Sequence, residues 1–94
     1  MLYQIYSVYD SLVQVYGVPF FLPVGPGGPT SHLLAKRTFK DLINDPSSTI
    51  FNNPEDFHLY FIGTFSNESG DLNNIDFSLE KVASATELKE VKNG

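Results

Sequence analysis

The chain contains no cysteine and no tryptophan, a single methionine, and only six basic residues against eleven acidic ones. Without cysteine, a disulfide scaffold, a thiolate metal site and a cysteine nucleophile are all excluded, and the usual reason to expect secretion is gone. A net charge of −5 argues against a non-specific nucleic-acid binder, which carries a basic excess. No apolar run approaches the ~20 residues that a membrane-spanning helix needs. The opening residues, Met-Leu-Tyr-Gln-Ile-Tyr, put no basic segment before an apolar core, so no signal peptide is expected. Two histidines without cysteine make a poor zinc site, which wants three or four ligands. Asp71 and Asp76 flank a turn without the ligand ladder of a calcium loop. A nucleophile, base and orienting acid drawn from Ser31, His32 and Asp10 has no supporting spacing. The sequence therefore predicts no catalytic residue, metal, cofactor, membrane or small-molecule substrate, and a protein that acts by binding.

What the sequence does have is aromatic bulk. Five tyrosines and eight phenylalanines in 94 residues bring large apolar areas to a chain that buries only roughly 60–65% of its unfolded surface. Its length fits one domain. The cations are unevenly placed: Lys36, Arg37 and Lys40 fall within five residues, and Lys81, Lys89 and Lys92 lie toward the C-terminal end. One basic face on an acidic protein is the expectation.

Residues 2–9 are β-branched and aromatic and read as a strand, with Tyr3, Ile5, Ser7 and Tyr9 on one face and Leu2, Gln4, Tyr6 and Val8 on the other. Residues 12–16 read as a helical turn or loop. Residues 17–22 read as a second strand, demoted to an edge by Pro19. Residues 23–29 hold three glycines and three prolines and form a loop. Thr30 or Ser31 then starts a helix to about Asn44, with Leu34, Ala35, Thr38, Phe39, Leu42 and Ile43 on the apolar side and the three cations opposite. Asp45-Pro46 stops it. Ile50 and Phe51 plug a polar loop into the core, and Asn53-Pro54-Glu55-Asp56 makes one helical turn. Residues 57–65 read as the strongest strand, with Phe57, Leu59, Phe61 and Phe65 on one side and His58 near a sheet edge. Residues 67–70 turn the chain, with Gly70 supplying a positive φ. Ile75, Phe77 and Leu79 alternate with polar residues as a half-exposed strand. The resulting expectation is an α+β fold: a four-stranded antiparallel sheet with one amphipathic helix on one face, ordered strand-strand-helix-strand-strand. Residues 1–83 form the single domain and residues 84–94 a flexible tail. One helix leaves the other sheet face bare, and that face is the structural hint of a partner.

Two binding chemistries follow. The loop Gly25-Pro26-Gly27-Gly28-Pro29 precedes a helix start, where amides favour an anion. It lacks the Lys and Ser/Thr of a phosphate loop, and Pro29 has no amide hydrogen. The basic stripe Lys36, Arg37 and Lys40, with Tyr3, Tyr9 and Tyr60 as stacking platforms, is the sharper candidate for nucleic acid. Three cations give a salt slope of only about 2 on a single strand, so stacking, roughly 1–3 kcal/mol per base, must supply the rest.

Three stretches also resemble a known family. Residues 5–10 (Ile-Tyr-Ser-Val-Tyr-Asp) with 16–21, residues 37–46, and residues 53–65 with the Glu68-Ser69-Gly70 turn are similar to the small non-structural protein of gokushovirus-type (Microviridae) single-stranded DNA bacteriophages. The resemblance covers most of positions 1–80. It implies a protein absent from the virion, working in the bacterial host cytoplasm, with a role on single-stranded DNA during genome replication or packaging. In similar sequences the position of Phe61 is often basic, so this chain has one cation fewer there. The leading expectation is thus a single-stranded DNA-binding module using Lys36, Arg37, Lys40, Tyr3, Tyr9 and Tyr60. The alternative is a protein-interaction module that forms a homodimer or engages another phage or host protein through the bare sheet face.

Overall fold

A computed structural model describes residues 1–24, 30–74 and 80–89. The elements in order are strands β1 (Leu2–Asp10), β2 (Val15–Tyr16) and β3 (Phe20–Pro23), helices α1 (Thr30–Ile43) and α2 (Thr49–Asn52), a single 3-10 turn Pro54–Asp56, strands β4 (Phe57–Ser66), β5 (Leu72–Asn74) and β6 (Glu80–Ser84), and helix α3 (Ala85–Leu88). All strand pairings are antiparallel. Among the described residues the sheet has six strands where four were expected, and the physical reason is simple. β1 and β4 pair along their full lengths, Leu2 with Ser66 through Asp10 with Phe57. That leaves one outer edge on each, and two short strands share each edge: β2 and β3 on β1, β5 and β6 on β4. Six strands thus occupy four lateral positions. The long central pair is made by the two stretches richest in aromatic and β-branched residues, as strand packing favours.

Gly17 keeps the chain close to β1 between the two short strands. Its N–H donates to the Val8 carbonyl at 2.8 Å, its own carbonyl accepts from Ser7 Oγ at 2.8 Å, and a Cβ there would lie 3.3 Å from the Val8 oxygen. Gly70 has φ +76°, the left-handed conformation expected of it in the turn after β4.

The core lies between the sheet and α1. Tyr6, Leu59 and Phe61 of the central strands pack with Ala35, Phe39 and Ile43 of α1, with Ile50 of α2 and with Ala85 of α3. Ala35, Phe39 and Ile43 recur every fourth residue and form a narrow helical stripe. Leu34, Thr38 and Leu42, expected on the same side, are exposed instead, because the slab of sheet accepts only the centre of the stripe. The expected polar loop around residues 47–53 contains a short helix. Ser48 Oγ caps it by accepting from the Ile50 N–H at 3.1 Å, and Ile50 is buried as the plug it was expected to be.

The stretch expected to begin a flexible tail is packed through Lys89. Ala83, Ser84 and Ala85 are buried, and Leu88 packs against the core. The Lys89 ammonium donates to the carbonyls of Ile43 (3.3 Å) and Phe51 (3.1 Å) and sits 3.4 Å from the centre of the Phe51 ring. A cation there satisfies the negative, unpaired end of α1. The composition of residues 83–89 looked polar and small, and small side chains are what close packing of α3 on α1 requires. The expected strand at residues 75–79, the loop at 25–29 and the remainder of the tail at 90–94 lie outside the described residues.

Candidate binding face

The sheet face opposite α1 is built by parity and one irregularity. On β1, Tyr6 and Val8 point into the core, so Tyr3, Ile5, Ser7 and Tyr9 point the other way. On β4, Phe57, Leu59 and Phe61 are core-facing. Opposite Tyr6 the register then slips, Ile5 pairing with Gly63 and Tyr6 with Phe61. Ile62 is the extra residue of this β-bulge, and it reverses the faces beyond it. Phe65 therefore does not join Phe57, Leu59 and Phe61 as its odd spacing predicts. It lies across from Tyr3 on the opposite face, 6.3 Å between ring centres. Every described helix contributes to, or packs against, the core side.

At the β2 end of this face three tyrosines touch. Tyr9 pairs with Tyr16 across β1 and β2, with ring centres 4.4 Å apart. Tyr60 closes the cluster edge-on, 5.9 Å from Tyr9 and 5.6 Å from Tyr16. Tyr16 is 42% exposed, so the cluster presents a ring to solvent. Partial burial, then the neighbouring Tyr60 and Tyr9 hydroxyls, push the Tyr16 phenol above its ordinary pKa. Lys81 is the register partner of Tyr60, which places a cation on this face. His58 is beside it, its Nδ1 3.0 Å from Ser84 Oγ. Burial and the Lys81 charge hold the imidazole below its ordinary pKa, partly offset by Asp56 and Glu87. β4 is central, so His58 is not the edge residue expected.

At the other end lies an open apolar depression of about 560 Å³ lined by Tyr3, Phe21, Phe65 and Leu72 with Asn67 and Gly70. Phe21 is 48% and Leu72 67% exposed. Its rim is fixed by the N-terminal ammonium, which bonds Asn67 Oδ1 at 2.7 Å and Glu68 Oε1 at 2.9 Å. That contact holds the Glu68 carboxyl below its ordinary pKa.

The sequence-predicted set is only partly assembled. Tyr9 and Tyr60 come together, joined by Tyr16, which the sequence reading left in a turn or loop. Its signal was a tyrosine seven residues after Tyr9 on the far side of a tight hairpin. Tyr3 shares their face but sits at the apolar end. Lys36, Arg37 and Lys40 lie on α1, behind the sheet, within about 100° of arc at 3.6 residues per turn. The expected pairing of these cations with the tyrosines is therefore corrected: a two-layer fold separates them by the thickness of the sheet.

Asp10 and His32, weighed with Ser31 as a trio, each have partners of their own. Asp10 Oδ1 accepts from the Leu12 N–H at 3.0 Å. His32 Nδ1 bonds the hydroxyl of buried Tyr6, which also donates to Gln4 Oε1 at 2.8 Å. His32 Nε2 lies 3.7 Å from Glu80. Burial, then the Glu80 charge, pushes the Tyr6 phenol up to about 12. This network pins the start of α1 to β1 and β6. Among the described residues no group of three or more histidine or carboxylate side chains could hold a metal, and no helix is long and apolar enough to cross a membrane.

By architecture this is a small α+β domain, an antiparallel sheet with its helices gathered on one side. The chain belongs to the phage ORF5 protein family, which it matches over residues 3–88, and is a bacteriophage protein. No curated protein and no solved structure matches it.

Proposed function

We propose that this protein binds single-stranded DNA in the bacterial host cytoplasm during phage genome replication or packaging, with bases stacked on the Tyr9–Tyr16–Tyr60 cluster. The observation that carries this reading is the cluster itself, three contiguous rings on a sheet face that no described helix occupies. Base–aromatic stacking tolerates any sequence and contributes roughly 1–3 kcal/mol per base. Lys81, across from Tyr60, supplies the nearest phosphate partner on that face. The gokushovirus-type resemblance of the sequence supports the same role. Lys36, Arg37 and Lys40 add a diffuse attraction from behind the sheet and do not share a phosphate with the stacked bases.

Fluorescence anisotropy of a labelled single-stranded oligonucleotide tests the reading. A Tyr9→Ala/Tyr60→Ala variant that stays folded should bind roughly one to two orders of magnitude more weakly for each stacked base lost. Absence of binding by the wild type at low salt and micromolar protein removes the proposal.

A second reading, a protein-interaction module, is favoured by the apolar depression at Tyr3, Phe21, Phe65 and Leu72. At that end the N-terminal ammonium is already engaged by Asn67 and Glu68, and the described lining is mostly apolar.

A further inference from the structure

The β1–β2 turn, Ser11 to Gln14, ends in a left-handed residue, Gln14 at φ +59°. Hairpin tips are ordinarily polar. This one exposes Leu12 at 74% and Val13 at 59%, and the first residue of β2 beside it, Val15, is 57% exposed. None of them belongs to the core or packs against it. The tip is therefore an apolar tongue at the Asp10 end of β1. The depression lined by Tyr3, Phe21, Phe65 and Leu72 lies at the Leu2 end. Eight residue steps of strand separate the two, about 26 Å, so the tongue cannot reach the depression of its own chain.

We infer that the tongue of one copy seats in the depression of another, linking copies head to tail. Knob and hole are distinct surfaces at opposite ends of one molecule, so the contact is heterologous and each copy joins two neighbours, in an open chain or a ring of three or more. Its strength follows from its size. Three side chains bury on the order of 300 Å² per partner, well short of the ~800 Å² per partner of a stable pair. Association is therefore weak and concentration-dependent, and copies remain separate when dilute. The net charge of −5 opposes contact between copies, so salt strengthens it by screening. Neighbours so joined repeat the Tyr9–Tyr16–Tyr60 cluster at a fixed interval, which suits a strand-binding protein whose single-copy electrostatics are weak. The occupant of the depression is thus a second copy of this chain. The contact does not depend on DNA.

Sedimentation velocity of the purified full chain, without DNA, is the test. Wild type should show a sedimentation coefficient that rises with concentration toward the millimolar range, and rises further from low to moderate salt, with species beyond dimer. A Leu12→Asp/Val13→Asp variant loses the knob and keeps the hole; a Leu72→Asp variant keeps the knob and loses the hole. All three sites are exposed, and circular dichroism with thermal melting verifies that both variants fold. Each variant alone should remain monomeric, while their mixture should form a 1:1 complex that does not grow. A wild type that stays monomeric throughout, one that stops at a closed dimer, or a mixture that stays monomeric would each overturn the inference. Anisotropy on the same variants separates this from the stacking proposal. Intact DNA affinity with monomeric wild type sinks the head-to-tail contact alone, and lost affinity with intact self-association sinks the stacking alone.

Discussion

At the scale of single residues, His58 links the candidate face to stability. Burial and Lys81 lower its pKa from the ordinary 6.5, so the folded protein holds its proton less readily than the unfolded chain. Just below pH 6.5 the unfolded state binds more protons, and stability must fall as pH falls through that window. Urea midpoints measured at pH 7 and pH 5.5 should therefore drop more for wild type than for His58→Gln, which cannot titrate. Equal drops would show that another group carries the acid sensitivity. The bulge at Ile62 acts at the same scale with a larger consequence. One inserted residue transfers Phe65 from the expected core side to the apolar depression, where it lies among Tyr3, Phe21 and Leu72.

At the scale of elements, α3 was the least legible part of the chain. Nothing in the short run Ala85–Leu88 has the length or periodicity that identifies a helix. Its stability comes from packing: Ala85 is fully buried, and Lys89 satisfies carbonyls at the ends of α1 and α2. A chain ending at Ala83 should therefore lose about 2–3 kcal/mol, from removed apolar burial at ~25 cal/mol per Å² together with the lost bonds of Lys89. A urea denaturation curve checks this, and an unchanged midpoint would restore the reading of residues 84–89 as a tail. The long elements were legible for the opposite reason. β1, α1 and β4 carry enough alternation or helical period to declare themselves, whereas β2, β5 and β6 are too short to do so and exist because β1 and β4 offer them a free edge.

At the scale of the whole molecule, the distribution of charge decides how binding should respond to salt. An acidic protein with Lys81 beside the stacking cluster and three cations behind the sheet neutralises few phosphates at once. The affinity for a single strand should fall with salt at a slope of about 1–2 in log–log form, at roughly 0.7 per phosphate. Lys36→Glu/Lys40→Glu should weaken binding only modestly and leave its dependence on Tyr9 and Tyr60 intact. A slope well above 2, or complete loss of binding in that double variant, would move the site to α1.

The sequence alone determined the α+β class, the one long amphipathic helix, the two principal strands, the turn at Gly70 and the family likeness, because each is written in local periodicity or in contiguous motifs. It also implied that one sheet face lacks a helix, since only one amphipathic helix was available to cover the sheet. Which side chains meet on that face was decided only in three dimensions. Tyr16 reaches Tyr9 and Tyr60 through a hairpin, Phe65 changes sides through a bulge, and Lys36, Arg37 and Lys40 are parted from the tyrosines by the layer between them. Contacts between residues far apart in the chain depend on register, and a one-residue shift in register reverses a face.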